Sequence, residues 1–483
     1  MAGSRTAADE SRTAEEATAE EAAESTPLVP LRRNLRFQAL WAGQAAATLG
    51  MRVGDTAFPL LVLALTGSST AAGAFGAVQM VATLLLGVHG GVVADRLDRR
   101  RVLIASDAAR LVVTATVPLA MAFDRLTLAH LLIVAAAVGA TIAYSGPIRL
   151  LALRSVVAPE QLPQALAQDE ARMTGAALAG PPLAGFLYGL GSAVPFLGTA
   201  LASLLALVAA LVVRFPGRPA DAQPDRETAT PPNRPTDTQP DRETATPPNR
   251  PTDAQPSGET DARPDREPGG AKPAPESGGA LAGFRLLAAS PLLRSALAVL
   301  LVVNLAGTAL MLPVMVLLRN GGTGSAGIGL ALAGEAVGAL AGTVLVSRLH
   351  RLAGPGVLLL VVAWTAVPVT LAPLLPGGVA TVFAALFVVG IGVPALRVML
   401  DLLVFRQVPD ELRGRVIAAT MTLLTAGMPA GTLGSGLLLD HLSPAVALAS
   451  IGILLAAALL PATVSRTLRR AAWPAAQDPA ARP

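Results

Sequence analysis

The chain has 483 residues, of which 52% are hydrophobic and only 14% charged, with a mean hydropathy of +0.56. That apolar content exceeds what soluble domains carry and belongs to proteins that cross a bilayer several times. The absence of cysteine excludes disulfides, thiolate metal sites and thiol nucleophiles, and the net charge of +4 comes from arginines beside apolar segments, not from a folded basic face for nucleic acid.

Residues 1–36 are polar and acidic (Glu16, Glu20, Glu21, Glu24) and lack the basic start and apolar core of a secretory signal peptide, so a disordered cytoplasmic tail is expected. Residues 37–214 then hold six apolar stretches: Gln38 to Leu65, Ala71 to Ala94, Val102 to Phe123, Leu128 to Ile148, Leu166 to Gly189 and Val194 to Val213. Each approaches or exceeds the roughly 20 helical residues that cross a bilayer core. The basic turn GGVVADRLDRRR, Gly90 to Arg101, joins the second and third and must lie at a membrane surface.

Residues 215–280 change character. DAQPDRETATPPNRPT at Asp221 returns as DTQPDRETATPPNRPT at Asp237 and decays into a third copy from Asp253. The interval has too little apolar surface to fold, and its composition favours an expanded disordered cytoplasmic linker over a regulatory insert. Residues 281–465 hold six further stretches: Ser295 to Leu318, Ala326 to Val346, Pro355 to Leu375, Val379 to Phe405, Val416 to Leu439 and Pro444 to Val464. Residues 466–483 form a second cytoplasmic tail.

Arginine placement orients the chain, because basic loop residues resist translocation. Arg32, Arg33, Arg36, Arg96, Arg99, Arg100, Arg101, Arg154, Arg348, Arg351, Arg413, Arg415, Arg466, Arg469 and Arg470 fall on one side, and the opposite loops hold only Arg125 and Arg319. Both termini are therefore expected in the cytoplasm, with the protein in the inner (plasma) membrane. The two halves also echo each other: GTVLVSRLHR at Gly342 aligns with GGVVADRLDR at Gly90, and VPDEL at Val408 with VAPEQL at Val157. The expected fold is all-α, with twelve transmembrane helices in two pseudo-symmetric six-helix bundles, a plan that suits alternating access around a midplane cavity.

Charges at bilayer depth are costly and normally face a cavity or a partner. Glu335, in LALAGEAVGAL, has no basic residue in its own stretch, and a carboxyl at that depth is a candidate to take up and release a proton in each cycle, the alternative being a permanently neutral carboxyl hydrogen-bonded in the packing. Arg52 and Asp55 stand at i, i+3 in the first stretch, close enough to pair, and are candidates for the proton or substrate cavity or for a static internal pair. Arg397 and Asp401 repeat the arrangement at i, i+4 and read as a structural pair. Asp107 and Arg110 are expected to support the basic turn by helical pairing, and Asp169, Glu170 and Arg172, entering the fifth stretch from the cytoplasmic side, either to line the inner vestibule or to snorkel to the interface. The four histidines lack metal-ligand spacing.

The basic turn resembles the major facilitator superfamily signature, Gly-x-x-x-Asp-Arg-x-Gly-Arg-Arg, filled here by Gly91, Asp95, Arg96, Arg99 and Arg100. Asp98 stands where the commonest pattern has glycine, a variant similar to the branch containing enterobactin exporters and macrolide-efflux proteins. The resemblance spans roughly Leu31 to Arg470 and implies that Asp95 and its arginines form a cytoplasmic latch favouring the outward-facing state. The family's arginine early in helix four has no counterpart, since Leu131 to Gly139 is uncharged. In the fifth stretch, GAALAGPPLAG resembles the antiporter motif of drug exporters through Gly180, Pro181 and Gly185, with Ala176 and Ala184 in place of glycines.

The resemblance implies a monomeric secondary transporter that uses the proton gradient, without a bound cofactor, to drive efflux of a drug-like small molecule. A siderophore exporter of the same fold and a non-transporting membrane sensor stay open beside it. A prenyl transferase would need clustered aspartates for magnesium, and an ATP-driven pump a GxxxxGK[ST] loop, whereas the single lysine, Lys272, lies in the repeat interval.

Overall fold

A computed structural model describes residues 30–213, 281–352, 354–408 and 410–469. The repeat interval and most of both tails lie outside the described residues. Every described element is helical. The first half comprises α1 (Leu35–Thr66), α2 (Ser69–Arg96), α3 (Arg99–Ala122), α4 (Leu128–Val156), α5 (Leu162–Leu190) and α6 (Val194–Val212). After a short helix, Leu281–Ala289, come α7 (Pro291–Asn320), α8 (Ser325–Leu352), α9 (Pro355–Leu371) and α10 (Val379–Gln407). The broken helix α11 (Asp410–Ala426 and Met428–His441) and α12 (Pro444–Val464) complete the second half.

Helix boundaries follow local chemistry. Asn34, Ser68, Asp98, Thr127, Ser290 and Ser443 each accept a backbone N–H of the first turn that the helix itself cannot satisfy. The tight turn from α1 into α2 uses Gly67 at φ 66°, where its N–H donates to the Leu63 carbonyl.

Ten of these helices are long and apolar enough to cross a membrane. The exceptions are α5, which carries Asp169, Glu170 and Arg172, and α10, whose apolar part is Val379–Pro394. The eleventh stretch, expected as one uninterrupted helix, breaks at Gly427 before Pro429, a residue that cannot continue the hydrogen-bond ladder of an existing helix.

The packing follows membrane logic. On α6, Thr199, Ala200, Ser203, Ala206 and Ala210 are buried, while Leu201, Leu204, Leu205, Val208 and Val212 face outward. Lipid is as apolar as leucine, so small residues line the helix contacts and bulky ones the perimeter. In the second half, Gly334, Gly338 and Gly342 lie one turn apart on α8, where a Cβ would overlap the carbonyls of Phe383, Phe387 and Ile391 on α10.

The two halves repeat one contact plan. α1 packs on α5 and α6, as α7 packs on α11 and α12; α2 packs on α4, as α8 packs on α10; α3 packs on α4 and α6, as α9 packs on α10 and α12. The halves meet along α2–α11 and α5–α8, two contacts that exchange under the same correspondence. This is the pseudo-two-fold arrangement anticipated from the paired RLxR turns.

Among the described residues, the seams between the halves close toward one end, the end carrying the α1–α2 turn. Gly73 approaches Thr432 and Gly436 approaches Ser69 across α2–α11, while Gly185 approaches Ser325 and Gly329 approaches Pro181 across α5–α8. Apolar clusters bridge the halves here: Leu312 joins residues of α1 to α4, and Leu60 joins residues of α7, α8 and α10. The clusters toward the α2–α3 turn draw on one half each, as with Leu40, Leu103, Ile148 and Ala210.

Candidate functional site

Three charged side chains, two from one half and one from the other, lie near mid-depth, with Arg52 within electrostatic reach of both carboxylates. Arg52 Nη1 lies 3.5 Å from Asp55 Oδ2, and both side chains remain 41% exposed in the interior of the first bundle's longest helix. The Gln79 side chain on α2 lies beside the Asp55 carboxylate, so Asp55 faces α2. From the other half, the Glu335 carboxylate stands within electrostatic reach of Arg52. At about 1.5 Å of rise per residue, Asp55 is about 16 Å from Thr66 along α1 and Glu335 about 15 Å from Ser325 along α8. Both therefore lie about halfway through an apolar layer of ~30 Å.

The exposure of Arg52 and Asp55 shows that the pair is not sealed in the helix packing, where a lone ion pair would be fully covered. Arg52 Nε is buried with no hydrogen-bond partner, a donor left free beside the Asp55 carboxylate. Gly180 places α5 against this site: a Cβ there would overlap the Arg52 Cβ. The helix-five motif is thus divided by role, with Gly180 against α1 and both Pro181, by its carbonyl, and Gly185 against α8.

A second polar group fills the first bundle toward the α2–α3 turn. Arg149 Nη2 donates to Asp107 Oδ1 at 3.3 Å, and Arg110 Nη1 lies 3.9 Å from the same oxygen. Arg110 also donates to Thr141 Oγ1 at 3.2 Å and Ser145 Oγ at 3.3 Å on α4. Asp107 and Arg110 are each 4% exposed, so they tie α3 to α4 in the bundle interior. On α5, Arg172 is nearly buried; it binds Asp169 at 2.7 Å and donates to the Gln44 carbonyl and to Thr48 Oγ1 on α1. The Arg172 guanidinium turns inward and does not snorkel, because the α1 carbonyl and hydroxyl satisfy donors that lipid could not.

The basic turn divides between residues that the structure describes and residues that it does not. The side chains of Gly91, Asp95, Arg96 and Arg99, and those of Arg397 and Asp401, lie outside the described residues. Asp98 is the N-cap of α3 and accepts from the N–H of Arg100 at 2.7 Å and of Arg101 at 3.3 Å. Arg100 Nη2 donates to the Leu211 carbonyl at 2.7 Å, capping α6 in its own half, where a guanidinium suits the negative end of the helix.

Gln79, Arg149 and Asp440 carry no motif and gain meaning only from their neighbours. Gln79, an uncharged amide in an apolar helix, is the one sequence signal among them, since Arg172 bonds to the backbone carbonyl of Gln44 and not to its amide.

The Major Facilitator Superfamily model matches residues 40–432. No curated protein matches the chain in sequence. Among solved structures, the chain is similar to a bacterial homologue of the human lysosomal transporter Spinster in an inward-facing, unoccupied conformation. That likeness has a TM-score of 0.64 at 16% identity, covering 94% of this chain and 100% of that one. A bacterial homologue of the iron transporter ferroportin in an inward-facing state gives 0.60 at 16% identity, covering 90% and 100%. The nucleoside transporter NupG gives 0.63 at 11% identity, covering 90% and 99%. Matched over most of its length, and folded as two related six-helix bundles, the chain belongs to the major facilitator superfamily: it is a multi-pass membrane transporter of a small-molecule substrate, not an enzyme.

Proposed function

We propose that the protein is a proton-coupled exporter of drug-like amphiphilic molecules, akin to the enterobactin-exporter and macrolide-efflux branch, and works as a monomer by alternating access. It sits in the plasma membrane with both termini in the cytoplasm, following the arginine bias. In that orientation the α1–α2 end is the outer face, and seams closed there describe an inward-facing state. The proton gradient supplies the energy and no bound cofactor takes part.

The observation that carries this reading is Glu335 of one half standing within electrostatic reach of Arg52, itself paired with Asp55 of the other, at mid-depth. A carboxyl that loses or gains a proton there changes the charge balance on one guanidinium shared between the two halves. Proton binding is thereby linked to how the halves sit, which is what coupling requires. The apolar surroundings and few polar groups suit an amphiphilic substrate.

The test is dye-monitored proton flux and efflux of a panel of lipophilic drugs in everted membrane vesicles. Glu335→Gln should abolish gradient-driven efflux while leaving expression and monodispersity intact. Efflux unchanged in that variant would remove Glu335 from the mechanism, and no substrate-dependent flux in the wild type would favour the sensor reading.

A further inference from the structure

The turn from α1 into α2 is held by a side chain from the opposite half. Asp440, near the end of α11, accepts three hydrogen bonds: from the Ser69 N–H at 2.8 Å, from Ser68 Oγ at 3.0 Å and from the Thr70 N–H at 3.2 Å. The first-turn N–H groups of a helix have no partner within it, and the same terminus carries partial positive charge, so a carboxylate binds there with charge-assisted bonds. Ser68 is the cap of α2 and accepts from the Ala71 N–H, so its hydroxyl links the helix's own cap to the donated carboxylate.

Helix caps normally come from residues just before the helix. Here part of the cap of α2 is supplied from α11, across one of the two seams on which the halves close. Gly436 and Gly73 let the backbones touch one and two turns from this point, so the carboxylate reaches α2 only while the seam is shut. The other seam, α5–α8, closes through backbone contacts at Gly185 and Gly329.

We propose that Asp440 is the positioning residue of the outer gate: it caps α2 when the outer seam is closed and must release that helix terminus each time the transporter opens outward. This rests on the alternating-access reading above. Two of the three bonds are solvent-exposed and the third is part-buried, which suits a gate that opens in every cycle, since water replaces each partner as the seam parts.

The native chain contains no cysteine, so spin labels can be placed without removing any residue. One pair, Leu65→Cys with Leu442→Cys, reports the outer end, and a second, Leu97→Cys with Val357→Cys, reports the inner end; all four positions are exposed. Distances are measured by pulsed electron paramagnetic resonance on the full chain in lipid nanodiscs. Gly436→Leu, which forces a side chain into the seam against the Ser69 carbonyl, is the control for two-state exchange.

If the halves rock, the Gly436→Leu wedge lengthens the outer distance and shortens the inner one. Asp440→Ala should then shift the populations the same way, raising the outward-open fraction several-fold, with Asp440→Asn intermediate because its one carbonyl oxygen can still accept from Ser69. Ser68→Ala reads the same gate if Asp440→Ala does not fold. A wedge that moves both distances beside Asp440 variants that move neither overturns the gate while sparing alternating access. A wedge that leaves the inner distance fixed overturns the rocking motion on which the gate depends.

Discussion

At the scale of single residues, the site is governed by how closely backbones approach one guanidinium. Arg52 has α5 pressed against it at Gly180, so any side chain at that position must shift Arg52 relative to Asp55. Gly180→Val should therefore lower transport at least about tenfold with the protein still folded, equivalent to ~1.4 kcal/mol in the productive arrangement. Gly175→Ala, one and a half turns earlier and facing open space, should leave transport within about twofold. Vesicle transport rates normalised to protein check both. Charges in an apolar stretch are conspicuous in a sequence, so Arg52, Asp55 and Glu335 are visible there as candidates. Which of them share a space is not visible, because Glu335 is separated from the pair by seven helices of chain and carries no marker of its partner.

At the scale of helices, boundaries and packing faces are nearly all local. Asp98 departs from the commonest family pattern, yet its carboxylate makes the first-turn bonds of α3, which glycine cannot make with a side chain. Asp98→Ala should cost about 1 kcal/mol of stability, and Asp98→Gly only a few tenths, as for N-caps generally. Thermal unfolding in detergent checks the order of the two variants. Span placement was legible for the same reason: a helix in lipid must be apolar over its whole length and satisfy its own backbone. The break in α11 and the partner of Arg172 were less legible, since hydropathy averages over a window and misses a single Gly427, and no local pattern names the α1 carbonyl that receives the guanidinium.

At the scale of the whole molecule, the halves contact each other directly through α2–α11 and α5–α8 and do not depend on the repeat interval for that contact. Deleting one copy of the repeat, residues 237–252, should leave expression and transport within about twofold, because a chain of that composition acts as a tether whose effect changes slowly with length. A loss of transport without loss of folded protein would instead assign the interval a regulatory role.

Hydropathy, arginine bias and the paired RLxR turns determined the membrane class, the span positions and the duplication, because each is a property of a segment and its solvent. Tertiary structure alone decided that Glu335 comes within electrostatic reach of Arg52, that Asp107 and Arg110 bond to α4, and that Asp440 caps a helix in the other half. Those contacts join residues far apart in the chain, and nothing in a local pattern encodes which distant backbone will arrive beside it.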